Sequence, residues 1–142
     1  MQAGLEQAIE HYYETIADVL KGNSEPQKEL WSRRDEVLLA NPLGPPARGW
    51  SDVEAAFDRA AGAMADGQLL SHVRITEHET PDLAYIFEIE RSRARFGGSD
   101  EFSTVSLRTT TVWRREETGW KIVLRHADPI TTPRPVESMF ER

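Results

Sequence analysis

The stretch Leu107-Arg-Thr-Thr-Thr-Val-Trp113-Arg-Arg-Glu-Glu-Thr-Gly119-Trp120-Lys-Ile-Val-Leu-Arg-His126-Ala-Asp128 decides the fold. β-Branched and aromatic residues run up to Glu-Glu-Thr-Gly and resume at Trp120, which predicts two long strands joined by a tight polar turn. A hairpin of this kind is not stable by itself, so its apolar face has to be covered by what precedes it.

Working back from the hairpin, Gly97-Gly98-Ser99-Asp100 and Thr80-Pro81-Asp82 are turn signals. They bound two more candidate strands, about 69–79 and 84–96, which with the hairpin strands 104–115 and 120–127 predict an antiparallel meander. Further back, Ser51 or Asp52 caps a helix carrying Val53, Ala56, Phe57, Ala60 and Ala61 on one face, closed by Gly62 or Gly67. Asp35 to Asn41 alternates loosely as a first strand and runs into Asn41-Pro42-Leu43-Gly44-Pro45-Pro46, which continues neither a helix nor an interior strand. Ser24-Glu25-Pro26 opens a short helix ending near Leu30-Trp31, and the spacing of Leu5, Ala8, Ile9, Tyr12, Tyr13, Ile16, Val19 and Leu20 predicts an amphipathic helix from Leu5 to about Lys21. The fold class is therefore α+β: a curved antiparallel sheet packed on three N-terminal helices, with a pocket between the layers. One domain, 1–142, accounts for the chain, with 129–142 as an extended tail.

Composition narrows the function classes. A hydrophobic share of 39% beside 29% charged residues is that of a folded globular chain, and a net charge of -7 argues against nucleic-acid or anionic-membrane partners. Arg91-Ser-Arg-Ala-Arg95 is interrupted by acidic neighbours and reads as a solvated strand end. With no cysteine, disulfides, thiolate catalysis and Cys-ligated zinc drop out together. His11, His72 and His78 lack metal-binding spacing, and no cofactor motif is present, so neither a metal nor a cofactor is expected. The start has neither the basic nor the apolar region of a signal peptide, and no run spans a bilayer, which leaves the cytoplasm as the default location.

The element order, together with Asn41-Pro42-Leu43-Gly44, Gly49-Trp50, Asp82-Leu83-Ala84-Tyr85-Ile86 and the closing hairpin, resembles the SnoaL-like members of the nuclear transport factor 2-like superfamily. That resemblance implies a cone-shaped α+β half-barrel. The superfamily's functions range from ketosteroid isomerases, polyketide cyclases and epoxide hydrolases to non-enzymatic binding and assembly domains. The hairpin from Thr111 to Asp128 is similar to that of the calcium/calmodulin-dependent kinase association domain, whose pocket holds arginines and a carboxylate. The corresponding positions here hold Phe87, Thr111 and Ala127, and Asn41 in place of the carboxylate. Ketosteroid isomerases carry an Asp base just before the Pro-x-Gly loop. Asn41 stands there, and an amide abstracts no proton near neutral pH, so that activity is not implied.

Candidate chemistry falls on a few residues. His126, with Asp128 two residues on, could act as a base, or could simply cap the barrel mouth. Asp35 could face the pocket, or pair with Arg33 or Arg34 at the surface. Tyr12 or Tyr13 should face inward from the first helix, as a proton donor or as a core residue with a bonded tip. Trp113 shares strand parity with Thr109 and Thr111 and could line a ligand cavity, whereas Arg108 has the opposite parity unless a bulge reverses it. The reading is a homodimeric pocket protein for a small, mostly apolar organic molecule. His126, Asp35 and Tyr12 are its catalytic candidates and Asn41, Phe87, Thr111, Trp113 and Asp128 its ligand contacts. Its chemistry would be that of an isomerase, cyclase or hydrolase; the alternative is a non-catalytic binding or oligomerisation module.

Overall fold

The structure is a computed structural model describing residues 1–142. Helix α1 (Ala3–Leu20) buries Leu5, Ile9, Tyr12, Ile16 and Leu20 of the stripe its sequence spacing predicts, together with Thr15, and leaves Ala8, Tyr13 and Val19 half-buried at its margins. Gly22, at φ 95°, turns the chain out of it. The single turn α2 (Glu25–Lys28) has Pro26 in its first turn, and Lys28 reaches Asp58 at 2.7 Å, tying it to α3 (Trp50–Gly62). Helix α3 starts at Trp50 from a Gly49 cap at φ 83°, earlier than the Ser51 or Asp52 cap the sequence suggests.

Six strands form one curved sheet that does not close into a barrel: β1 (Leu38–Ala40), β2 (Ala47–Arg48), β3 (Met64–Glu79), β4 (Leu83–Phe96), β5 (Phe102–Glu116) and β6 (Gly119–Asp128), in spatial order β2-β1-β6-β5-β4-β3. The four long strands make the expected antiparallel meander. The sheet as a whole is mixed, because β1 lies parallel to β6, with Leu38 opposite Leu124 and Ala40 opposite His126. The two-residue β2, unannounced in the sequence, closes a small hairpin with β1 across the Asn41–Pro46 loop. Asn41 shapes that loop by accepting the Leu43 N–H on Oδ1 at 2.9 Å.

Gly67 does not end α3; it lies inside β3, where a Cβ would sit 2.6 Å from the Leu20 Cβ and 2.8 Å from the Ala94 Cβ. Only glycine lets β3 pass this close to the end of α1. Asp66 beside it adopts φ 55°, and the β3–β4 register slips between Ala65 and Gln68, the local bend expected of a bulge. The core fills the space between α1, α3 and the concave sheet face, with Trp31, Trp113, Tyr12, Ile86 and Ile122 fully buried. After β6 the tail runs extended to one 3-10 turn, Val136–Met139. No helix is long and apolar enough to cross a membrane.

Candidate functional site

Along β4 the even-numbered side chains Ala84, Ile86, Glu88, Glu90, Ser92 and Ala94 all face inward and are buried. Two carboxylates therefore lie in the interior, Glu88 at 1% and Glu90 at 4% exposure, where an unpaired charge would be very costly. Each has its own cation and its own tyrosine from α1. Glu90 makes a two-pronged pair with Arg125 of β6, Nη1 to Oε2 at 2.9 Å and Nη2 to Oε1 at 3.0 Å, while Arg125 Nη1 also donates to the Tyr12 hydroxyl. Glu88 accepts from the Tyr13 hydroxyl, which in turn accepts from Arg74 Nε at 3.3 Å. The Arg74 guanidinium is held by Glu6 at 2.7 Å and Glu77 at 3.0 Å, and His72 stacks on the Tyr13 ring at 3.6 Å.

Burial governs the protonation of these groups. It pushes the Tyr12 phenol far above its ordinary range, with Arg125 opposing only in part, so Tyr12 stays protonated. Tyr13 is raised for the same reason, reinforced by its bond to Glu88. Glu88 is raised by burial, against the Tyr13 hydrogen bond. Burial works against the charge on Arg125, but Glu90 and Tyr12 outweigh it and the guanidinium remains charged.

The Glu90–Arg125 pair forms part of the wall of a cavity of about 330 Å³ between α1, α3 and the sheet. Twelve of the eighteen lining residues are hydrophobic, among them Leu39, Phe57, Phe96 and Leu107, and the remaining polar side chains are Gln27, Asn41 and Ser92. This is the composition of a site for a small organic molecule: an apolar wall with a few fixed polar groups.

Of the residues singled out from sequence, Asn41 lines this cavity, and Tyr12 adjoins it through its bond with Arg125. Thr111 and Trp113 face inward but are core: the Trp113 indole N–H donates to Thr111 Oγ1 at 3.2 Å and its ring meets Tyr12 edge-on at 5.8 Å. His126 and Asp128 lie on the other sheet face because Val123 has no partner: Val112 faces Leu124 whereas Trp113 faces Ile122. This bulge reverses the parity of the strand's second half, turning Arg125 and Ala127 inward and His126 outward. Asp128 is taken up by Arg108 at 2.7 Å within the same chain. Phe87 follows the outward parity of β4, and Asp35 is exposed in the segment before β1. Sequence reasoning missed Glu88, Glu90 and Arg125. The signal for the glutamates was present: Ala84, Ile86 and Ala94 mark the inward parity, and 88 and 90 share it.

An open α+β half-barrel with an apolar cavity between helices and sheet defines a class of pocket-bearing folds, and solved structures identify which. No protein-family model matches the sequence, and a search of curated proteins finds no match. A nuclear transport factor 2-like superfamily protein from Salmonella enterica is similar at 21% identity over 92% of each chain, with a TM-score of 0.78. A ketosteroid isomerase-like protein from Erwinia carotovora is similar at 15% identity over 92% of this chain and 96% of that one, TM-score 0.71. A candidate calcium/calmodulin-dependent protein kinase type II association domain from Thiobacillus denitrificans is 26% identical over 89% of this chain and 94% of its own, TM-score 0.69. The chain has the fold of the nuclear transport factor 2-like superfamily.

Proposed function

We propose that this chain is a small-molecule pocket protein that holds a mostly apolar organic ligand in the cavity between α1, α3 and the sheet. The observation that carries this is the pairing of a 330 Å³ apolar cavity with a fixed polar wall made by Glu90, Arg125 and Asn41. The ligand's body packs on Leu39, Phe57, Phe96 and Leu107, and its polar end meets the Arg125 and Asn41 donors.

Binding comes ahead of catalysis in this reading. His126 and Asp35 lie away from the cavity, so a cofactor-independent isomerase, cyclase or hydrolase would have Glu90 as its inward base. Both oxygens of Glu90 already accept from Arg125, and taking up a proton there would weaken a charge-assisted pair. A second copy completes the assembly through the outer sheet face, where Val73, Tyr85, Phe87, Ile89, Val112 and Leu124 are brought together by register. Val73 at 55% and Tyr85 at 42% exposure leave this face unusually apolar for a surface.

The test is equilibrium binding of an uncharged fluorescent probe, N-phenylnaphthylamine, to the wild type and to Leu107→Trp, which fills the cavity from a partly exposed strand position. The reading expects saturable binding that Leu107→Trp weakens at least about tenfold, roughly the effect of losing 1.4 kcal/mol of contact. Equal binding to both proteins would place the probe elsewhere and defeat the reading.

A further inference from the structure

Glu90 and Arg125 are the only charged residues lining the cavity, and they neutralise one another. Both guanidinium nitrogens that face Glu90 are occupied by its two oxygens, and Nη1 is shared with Tyr12. Behind this pair stands a second buried carboxylate, Glu88, two residues along the same strand face. Its partner Arg74 also bonds to Glu6 and Glu77.

A ligand carboxylate entering this cavity would have to displace Glu90 from Arg125 or sit beside two buried glutamates in a medium of low dielectric, where like charges repel strongly. A ligand ammonium would meet Arg125 and lose its hydration among apolar walls. A hydroxyl or carbonyl group avoids both costs. It can bond to the Asn41 or Gln27 amide or to a free edge of the guanidinium without adding charge.

We infer that Glu90 is a specificity-determining residue: by holding Arg125 in a closed ion pair, it makes the cavity selective for uncharged, hydroxyl- or carbonyl-bearing apolar molecules and excludes carboxylates of the same shape. This rests on the pocket reading above and specifies its ligand class. It also accounts for why an inward arginine does not make this an anion site. The arginine is present at position 125, and its charge is already answered from within the chain.

Two matched probe series test this: decanol, decanoate and decylamine, and naphthylethanol, naphthylacetate and naphthylethylamine. Their affinities are measured by calorimetry for the wild type, for Glu90→Gln and for the double variant Glu90→Gln/Arg125→Gln. In the wild type the alcohol of at least one series binds about tenfold or more tighter than the matching carboxylate and amine. In Glu90→Gln the carboxylate gains at least about tenfold, because the Arg125 fork is released. The double variant, which leaves no charge unpaired, loses that carboxylate gain because the released fork is gone. If Glu90→Gln does not fold, the wild-type ranking of alcohol over carboxylate and amine still decides. A carboxylate that binds the wild type as tightly as the alcohol, or no carboxylate gain in folded Glu90→Gln, overturns this inference and leaves the pocket reading standing. Absence of binding by every member of both series to the wild type overturns both.

Discussion

Arg125 sits where three constraints meet: it faces the cavity, closes a two-pronged bond on Glu90 and donates to a tyrosine that burial keeps protonated. Removing it leaves a carboxylate at 4% exposure without its cation. Arg125→Ala is therefore expected to cost about 3 kcal/mol of folding stability, read as a lower urea midpoint at unchanged slope. Replacing both members by apolar residues should cost much less, since a buried pair repays little more than its own desolvation. Burial raises the folded pKa of Glu88 above the unfolded value, so the stability it contributes is complete below the ordinary carboxylate range and is lost as pH rises through the raised value. Glu88→Gln should thus gain on the wild type from pH 4 to pH 7 in urea titrations; a difference that stays flat or shrinks would contradict the assignment. Glu88 and Glu90 were legible in principle, since alternation with Ala84, Ile86 and Ala94 places them inward. A buried charge runs against the residue-type expectation, and that expectation prevailed over the periodicity.

Among the elements, β6 shows why strand alternation counted from the sequence brings the wrong side chains inward. Counting by twos from Trp120 and Ile122 puts His126 inward, but the unpaired Val123 moves Arg125 and Ala127 there instead. A bulge leaves no dependable mark in a run such as Lys121-Ile-Val-Leu-Arg125, because every residue in it suits a strand. The long elements were legible because their apolar spacing is strong over many residues. The two-residue β2 and the parallel pairing of β1 were not, since short partners are selected by the sheet they complete. Of the two candidate helix stops, Gly62 and Gly67, the second serves close approach inside β3. Gly67→Ala would drive a methyl into Leu20, which itself lines the cavity, and should destabilise by about 1–3 kcal/mol as an overpacking change. Calorimetric unfolding checks this: an unchanged Tm would mean that α1 and β3 do not approach so closely.

For the whole molecule, the two sheet faces divide the work. The concave face meets α1 and α3 and forms the cavity, while the convex face presents Val73, Tyr85, Phe87 and Ile89 to solvent in a single chain. On the dimer reading, Ile89→Asp places a charge at the centre of that convex patch and should shift sedimentation from dimer to monomer without altering ligand affinity. A wild type that sediments as a monomer would contradict the assembly but not the pocket. Occupancy of the cavity is read out by an amide NMR titration of the wild-type protein with naphthylethanol. A ligand in the cavity gives saturable shifts concentrated at Leu39, Asn41, Phe96, Leu107 and Arg125. Shifts confined to the convex face at Val73, Tyr85 and Ile89, or none at all, would contradict it.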